Sequence, residues 1–185
     1  DETHSGKSEI KNEVLVLDAM AMKDICYLMP CPKSPHGCDV DPTGEYIVGS
    51  GKLAALIPVF SFDKMTKAIA KKEYEGDYEG IPVLKYNSVL HGEVQKPGLG
   101  PLHTEFDGKG NAYTSMFVSS EVVKWDIKTL KVLDRQPTFY SVGHLMVAGG
   151  DTSKPFGKYL VAYKKITKDR FLPTGPELAQ SAQLY

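Results

Sequence analysis

No run in this sequence approaches the roughly 20 consecutive apolar residues that a bilayer-spanning helix requires, so no helical membrane span is expected in its 185 residues. No charge of one sign dominates. Lys and Arg number 22 against 23 Asp and Glu, for a net charge of −1, and the two signs are interleaved along the chain. A nucleic-acid partner, which calls for a basic face or stripe, is not expected. Cysteine is scarce, at 3 residues, and an odd count that small does not build a disulfide framework. Cys26, Cys31 and Cys38 lie near His36, but their spacing matches no common zinc pattern. Cys26 and Cys31 fall in an apolar run and read as buried strand thiols. A signal-peptide pattern is absent as well. The first residue is Asp1, not Met, and Gln183-Leu184-Tyr185 reads like the start of another strand. The chain is therefore expected to be an internal piece of a longer product.

What is present is a globular balance of 42% hydrophobic and 24% charged residues, enough for one domain with a real core. The chain reads as short strands between turns. Val14–Leu17, Glu45–Val48, Ala112–Val118, Val122–Asp126, Lys131–Leu133 and Lys158–Tyr163 are β-type runs. Asp41-Pro42-Thr43-Gly44, Asp107-Gly108-Lys109-Gly110 and Lys154-Pro155-Phe156-Gly157 carry turn chemistry. Ser61 to Tyr74, with Asp63 available as N-cap, predicts a short surface helix. Tyr74 to Gly100, rich in Gly and Pro, predicts a long connection with at most one strand.

A histidine precedes each turn: His36, His103 and His144. A unit of roughly 40–50 residues built from a few strands has the size of a propeller blade. Repeating one reactive side chain per unit would gather distant ligands about a common axis. A lone histidine near a turn is usually a satisfied surface group, but three in register would need that coincidence three times, which raises shared ligation as the alternative. His4 and His91 fit no such role.

These residues also carry a family resemblance. Ser34-Pro35-His36-Gly37-Cys38 with Ser50-Gly51-Lys52-Leu53 resembles the Asn-Pro-His-Gly-Cys…Gly-Lys-Leu segment of nitrous oxide reductases. Gly98-Leu99-Gly100-Pro101-Leu102-His103-Thr104, continued by Phe106 to Tyr113 and Val122-Val123-Lys124-Trp125, is similar to that family's Gly-Leu-Gly-Pro-Leu-His-Thr block. Gly143-His144-Leu145 resembles its third histidine motif, and Lys168 to Pro173 with Gly175-Pro176 the signature beyond.

The resemblance implies an all-β fold: residues 1–185 as part of a seven-bladed β-propeller, about three to four blades with a short helical insertion. It implies that His36, His103 and His144 belong to the seven histidines of a four-copper, sulfide-bridged Z cluster. Neutral imidazole and soft sulfide suit copper. Lys165 matches a catalytic lysine beside the open edge of that cluster. Calcium is implied at Ser34, where many members have Asn, and at the Lys165 carbonyl with Gln180, where Glu is frequent. A neutral Gln weakens the latter site for a hard cation. Met146 stands where some relatives carry another histidine.

The family's last propeller histidine and its cupredoxin domain, with the binuclear A copper centre, are not found in the sequence. The chain alone is expected to be inactive. For the whole protein the resemblance implies reduction of nitrous oxide to dinitrogen and water in denitrification. It also implies a c-type cytochrome or cupredoxin as electron donor, a homodimer and a periplasmic location. The reading from another class is a non-catalytic β-propeller serving as an interaction module, which would not need histidines in register. A propeller hydrolase with hub calcium would place Asp, Glu and Asn there instead.

Overall fold

The computed structural model describes residues 8–11, 14–18, 20–138, 141–165 and 182–184. In chain order the strands begin with β1 (Ser8–Lys11), β2 (Val14–Leu17), β3 (Pro35–Val40), β4 (Tyr46–Gly51) and β5 (Leu56–Ser61). Helix α1 (Phe62–Lys71), β6 (Tyr74–Tyr78), β7 (Ile81–Leu84), the single helical turn α2 (Tyr86–Val89) and β8 (Leu90–Gln95) follow. The remaining strands are β9 (Pro101–Phe106), β10 (Asn111–Met116), β11 (Glu121–Asp126), β12 (Val132–Pro137), β13 (Val142–Val147), β14 (Leu160–Lys164) and β15 (Ala182–Leu184).

These elements form two compact units. The smaller holds residues 1–30 and 65–89. It contains the antiparallel hairpins β1–β2 and β6–β7. The second turns on Glu79-Gly80, both with positive φ (51° and 84°), as a two-residue turn between right-twisted strands requires. Leu28 docks on the hairpin, donating its N–H to the Pro82 carbonyl and accepting from Leu84 N (2.9 and 2.8 Å).

The larger unit, residues 31–64 and 90–185, is built of three antiparallel meanders. Their strand orders are β3-β4-β5-β8, β9-β10-β11-β12 and β13-β14-β15. Strand β9 lies against both β3 and β13, so the first strand of each sheet is its inner strand. Three sheets fanned from adjoining inner strands are blades of a partial β-propeller. The blades meet face to face through apolar side chains, as sheets of alternating pattern must. Val48, Ile57, Val59 and Val94 of the first blade pack with Phe106, Ala112, Met116, Val123 and Trp125 of the second. Val122 and Tyr113 of the second pack with Val142, Leu145, Val147, Leu160 and Ala162 of the third.

The hairpin turns repeat as the sequence suggested. Asp41 accepts from Thr43 N and Tyr46 N (3.2 and 2.8 Å). Asp107 accepts from Lys109 N and Asn111 N (2.8 and 3.2 Å). In the third blade the connection from β13 to β14 is longer, and Lys154–Gly157 folds back within it through bonds from Phe156 N and Gly157 N to the Ala148 carbonyl.

Three expectations need correction. The helix is capped by Ser61, whose Oγ accepts from Lys64 N at 3.1 Å. Asp63 sits in the first turn, where its charge suits the helix dipole. Tyr74 to Gly100 is no bare connection but holds β6, β7, α2 and β8. The last of these is the fourth strand of the first blade. Cys26 and Cys31 lie outside strands and are half-buried, while Cys38 is an exposed residue of β3.

Candidate metal centre

Each sequence-flagged histidine sits in a β-bulge of an inner strand. In β3 the pairing steps from Pro35↔Gly51 to Cys38↔Gly49, so His36 and Gly37 together face Ser50 alone. In β9 it steps from Pro101↔Met116 to Thr104↔Thr114, and Leu102 and His103 face Ser115. In β13 it steps from Val142↔Lys164 to Leu145↔Ala162, and Gly143 and His144 face Tyr163. A bulge puts one extra residue into a strand and re-aims its side chain. Three bulges at one level therefore present three imidazoles to the hub.

Two buried serines tie the bulges together. Ser50 Oγ accepts from Gly37 N (2.5 Å) and donates across to the Leu102 carbonyl (2.7 Å). Ser115 Oγ accepts from His103 N (3.2 Å) and donates to the Gly143 carbonyl (2.5 Å). The same device thus operates at both blade seams. Gly37 allows the first seam to close, because a Cβ there would lie 2.0 Å from the Leu102 oxygen. Replacing Ser115 by Ala leaves His103 N and the Gly143 carbonyl buried without this partner. We expect a loss of about 1–3 kcal/mol in denaturant unfolding. An unchanged midpoint would show that water replaces the hydroxyl at no cost.

The three rings form a row. His36 and His103 have centroids 4.9 Å apart at 86°, and His103 and His144 lie 4.8 Å apart at 76°. Lys165, following β14, reaches back so that its Nζ lies 2.6 Å from His36 Nε2. Gly143 makes room for its stem, a Cβ there falling 2.9 Å from Lys165 Cβ. Burial, then the Lys165 cation and the other imidazoles, lower the pKa of His36. Burial, then His103 and Lys165, lower that of His144. Both rings are thereby held neutral, the form that binds metal. His103 Nε2 is buried and has no hydrogen-bond partner. Among the described residues no three His, Cys, Asp or Glu side chains are set to hold a single ion.

Asp39 and Glu105 escaped the sequence reading. Asp39 Oδ2 accepts from Thr104 N (2.7 Å), and Oδ1 lies 3.9 Å from His103 Nδ1. Glu105 is buried and accepts from Val147 N (3.4 Å). Burial, reinforced by Asp151, pushes its pKa up to about 7 from 4.5. Between these values the native protein holds a proton that the unfolded chain has released. Its contribution to stability is complete below pH 4.5 and is lost as pH rises through about 7. The lowered histidines act oppositely, adding stability as pH rises toward 6.5. Denaturation of metal-free Glu105→Gln against the parent isolates the carboxyl. The variant should gain relative stability from acidic to neutral pH, and parallel profiles would refute this.

The other flagged residues are dispersed. Ser34 lies exposed at φ 62°, just before β3, with its carbonyl taken by Lys52 N (2.8 Å). Gln180 and the 168–176 signature lie outside the described residues. His91 is in β8, the outermost strand of the first blade, against the Tyr46 ring at 4.7 Å. It is not part of the row.

The nitrous oxide reductase propeller repeat matches residues 135–185. The nitrous-oxide reductase of Stutzerimonas stutzeri is 37% identical over 166 residues, covering 84% of this chain and 24% of its own length. That of Pseudomonas fluorescens is 36% identical with the same coverage, and that of Cupriavidus necator 37% identical over 83% of this chain and 24% of its length. The chain thus spans about a quarter of these relatives. Among solved structures, Kuenenia stuttgartiensis hydrazine synthase superposes with a TM-score of 0.51 over 71% of this chain and 29% of its own. At 11% identity that is a likeness of fold alone. Sequence identity along most of its length, together with the blade architecture, makes this chain similar to a propeller segment of nitrous-oxide reductases.

Proposed function

We propose that this chain supplies His36, His103 and His144 to a copper–sulfide cluster at which the whole protein reduces nitrous oxide to dinitrogen and water. The observation that carries this reading is the row of three imidazoles, each raised into the hub by an equivalent bulge. The residues fit the group. Two imidazoles are held neutral, and the middle one has a buried nitrogen without a partner. Neutral imidazole is a good ligand for Cu(I) and Cu(II). When bound, the cluster supplies electrons to the substrate and a site for its oxygen.

The chain's own residues do the rest. The blades fix ligand positions through Ser50 and Ser115, as rigid elements do better than loops. Lys165 carries an ammonium at the exposed side of the row, where it can donate to an oxygen that gains negative charge. Reduction of N2O consumes two electrons and two protons, yielding N2 and H2O. The electrons would arrive from a c-type cytochrome or cupredoxin through a binuclear A copper centre in another domain. Calcium at Ser34, and at the Lys165 carbonyl with Gln180, the homodimer and the periplasmic location belong to the same reading. The test is His103→Ala in the full-length protein, read by the cluster's absorption.

A further inference from the structure

We propose that Asp39 is a positioning residue that selects the tautomer of His103 and thereby prepares its Nε2 as a metal donor. The inference rests on the copper-cluster reading and assigns a residue that the motifs did not indicate. Asp39 follows the bulge of β3, and its carboxylate crosses the seam to β9. One oxygen is anchored there by Thr104 N at 2.7 Å. The other is thereby held 3.9 Å from His103 Nδ1. A carboxylate only accepts, so it favours the imidazole with its proton on Nδ1. The lone pair then falls on Nε2, the buried atom for which the protein offers no partner.

The surroundings keep this arrangement in place. Gly37 carries no Cβ, and one there would stand 3.1 Å from Nδ1 and collide with the Leu102 carbonyl. The His103 backbone is fixed by Ser115. The ring is flanked edge-to-face by His36 and His144, so it turns little. At 3.9 Å the carboxylate acts on Nδ1 through its charge and not through a direct hydrogen bond. Where a carboxylate supports a metal-binding imidazole, removing it typically costs 10- to 100-fold in metal affinity.

Asp39→Asn keeps an oxygen for Thr104 N–H and removes the charge. Two readouts decide the matter. In metal-free protein with 15N-labelled histidine, the long-range 1H–15N pattern of His103 should show the Nδ1–H tautomer. The pattern is identified by its loss in His103→Asn. In Asp39→Asn the pattern should move toward a mixture of tautomers. In the full-length protein, copper affinity at the cluster should fall 10- to 100-fold, leaving the cupredoxin copper unchanged. Asp39→Glu should recover part of both signals. An unchanged tautomer in Asp39→Asn overturns the proposal, even where copper is lost, since the carboxylate would then act only on the fold. Unchanged tautomer and unchanged affinity overturn it equally. The ligand reading fails separately, through a normal cluster in His103→Ala, and the tautomer result does not depend on it.

Discussion

On the proposed function, His103→Ala in the full-length protein is expected to abolish the absorption of the copper–sulfide cluster while leaving the cupredoxin copper spectrum intact. His103 is the middle of the row, 4.9 Å from one neighbouring ring and 4.8 Å from the other. Its loss breaks the row at its centre. The fold should tolerate the change. The side chain is 28% exposed, and the apolar contacts of β9 are made by Leu102 and Phe106, both buried. The Ser115 bond is made by the backbone N–H, which alanine keeps. Copper content should fall to that of the cupredoxin site alone, and nitrous oxide reduction to background. Metal analysis beside the visible spectrum separates the outcomes. A variant with a normal cluster would show that this histidine is no ligand, and the proposed function would lose its central residue.

Much of the architecture was legible because it is local. Asp41 and Asp107 each bind backbone N–H groups two to five residues on, so these turns are written into a few adjacent residues. The runs behind them alternate or stay apolar, as blade strands do. What was not legible depends on distant partners. Leu90-His-Gly-Glu-Val-Gln95 contains a glycine and three polar side chains, a weak strand on its own. It becomes β8 because β5, separated from it by α1 and the β6–β7 hairpin, presents an unpaired edge. Ile81-Pro-Val-Leu84 is likewise disfavoured by Pro82. There the missing N–H is tolerated in a two-stranded hairpin, and the Pro82 carbonyl is used by Leu28.

The helix start shows the same logic on a smaller scale. Ser61 and Asp63 are both good caps by type. Glu45 decides between them. Its carboxylate accepts from Ser61 Oγ at 2.5 Å and from Asp63 N at 3.3 Å, and its carbonyl from Phe62 N at 2.8 Å. The site divides along this line too. Histidines in register could be read from the chain, since residue type and spacing carry that signal. The bulges could not, because register is a property of a strand pair. Ser50, Ser115 and Asp39 are ordinary small polar residues until β9 is set beside β3 and β13. The faint signal was a hydroxyl residue a dozen or so positions after each of two histidines, at Ser50 and Ser115.

On the same proposed function, Lys165→Ala should separate catalysis from assembly. The ammonium lies 2.6 Å from His36 Nε2, yet the side chain is exposed and belongs to no core cluster. Its backbone N–H bonds the Ser141 carbonyl at 2.8 Å, which alanine retains. No imidazole is removed, so the Z absorption and copper content should match the parent. Turnover should fall by about 10²–10³, the usual cost of deleting a donor aimed at developing negative charge. A second effect follows from the same cation. Lys165 helps lower the pKa of His36 and His144. Without it these rings gain protons at higher pH, so copper loading in acid should weaken relative to the parent. Lys165→Arg keeps the charge and should preserve the acid profile while recovering turnover only in part, because guanidinium is planar and differently hydrated. Steady-state rates with copper-saturated enzyme distinguish the cases. An alanine variant with parental turnover would make the lysine a bystander. Loss of copper in parallel with loss of rate at neutral pH would assign it to holding His36 instead of serving the substrate.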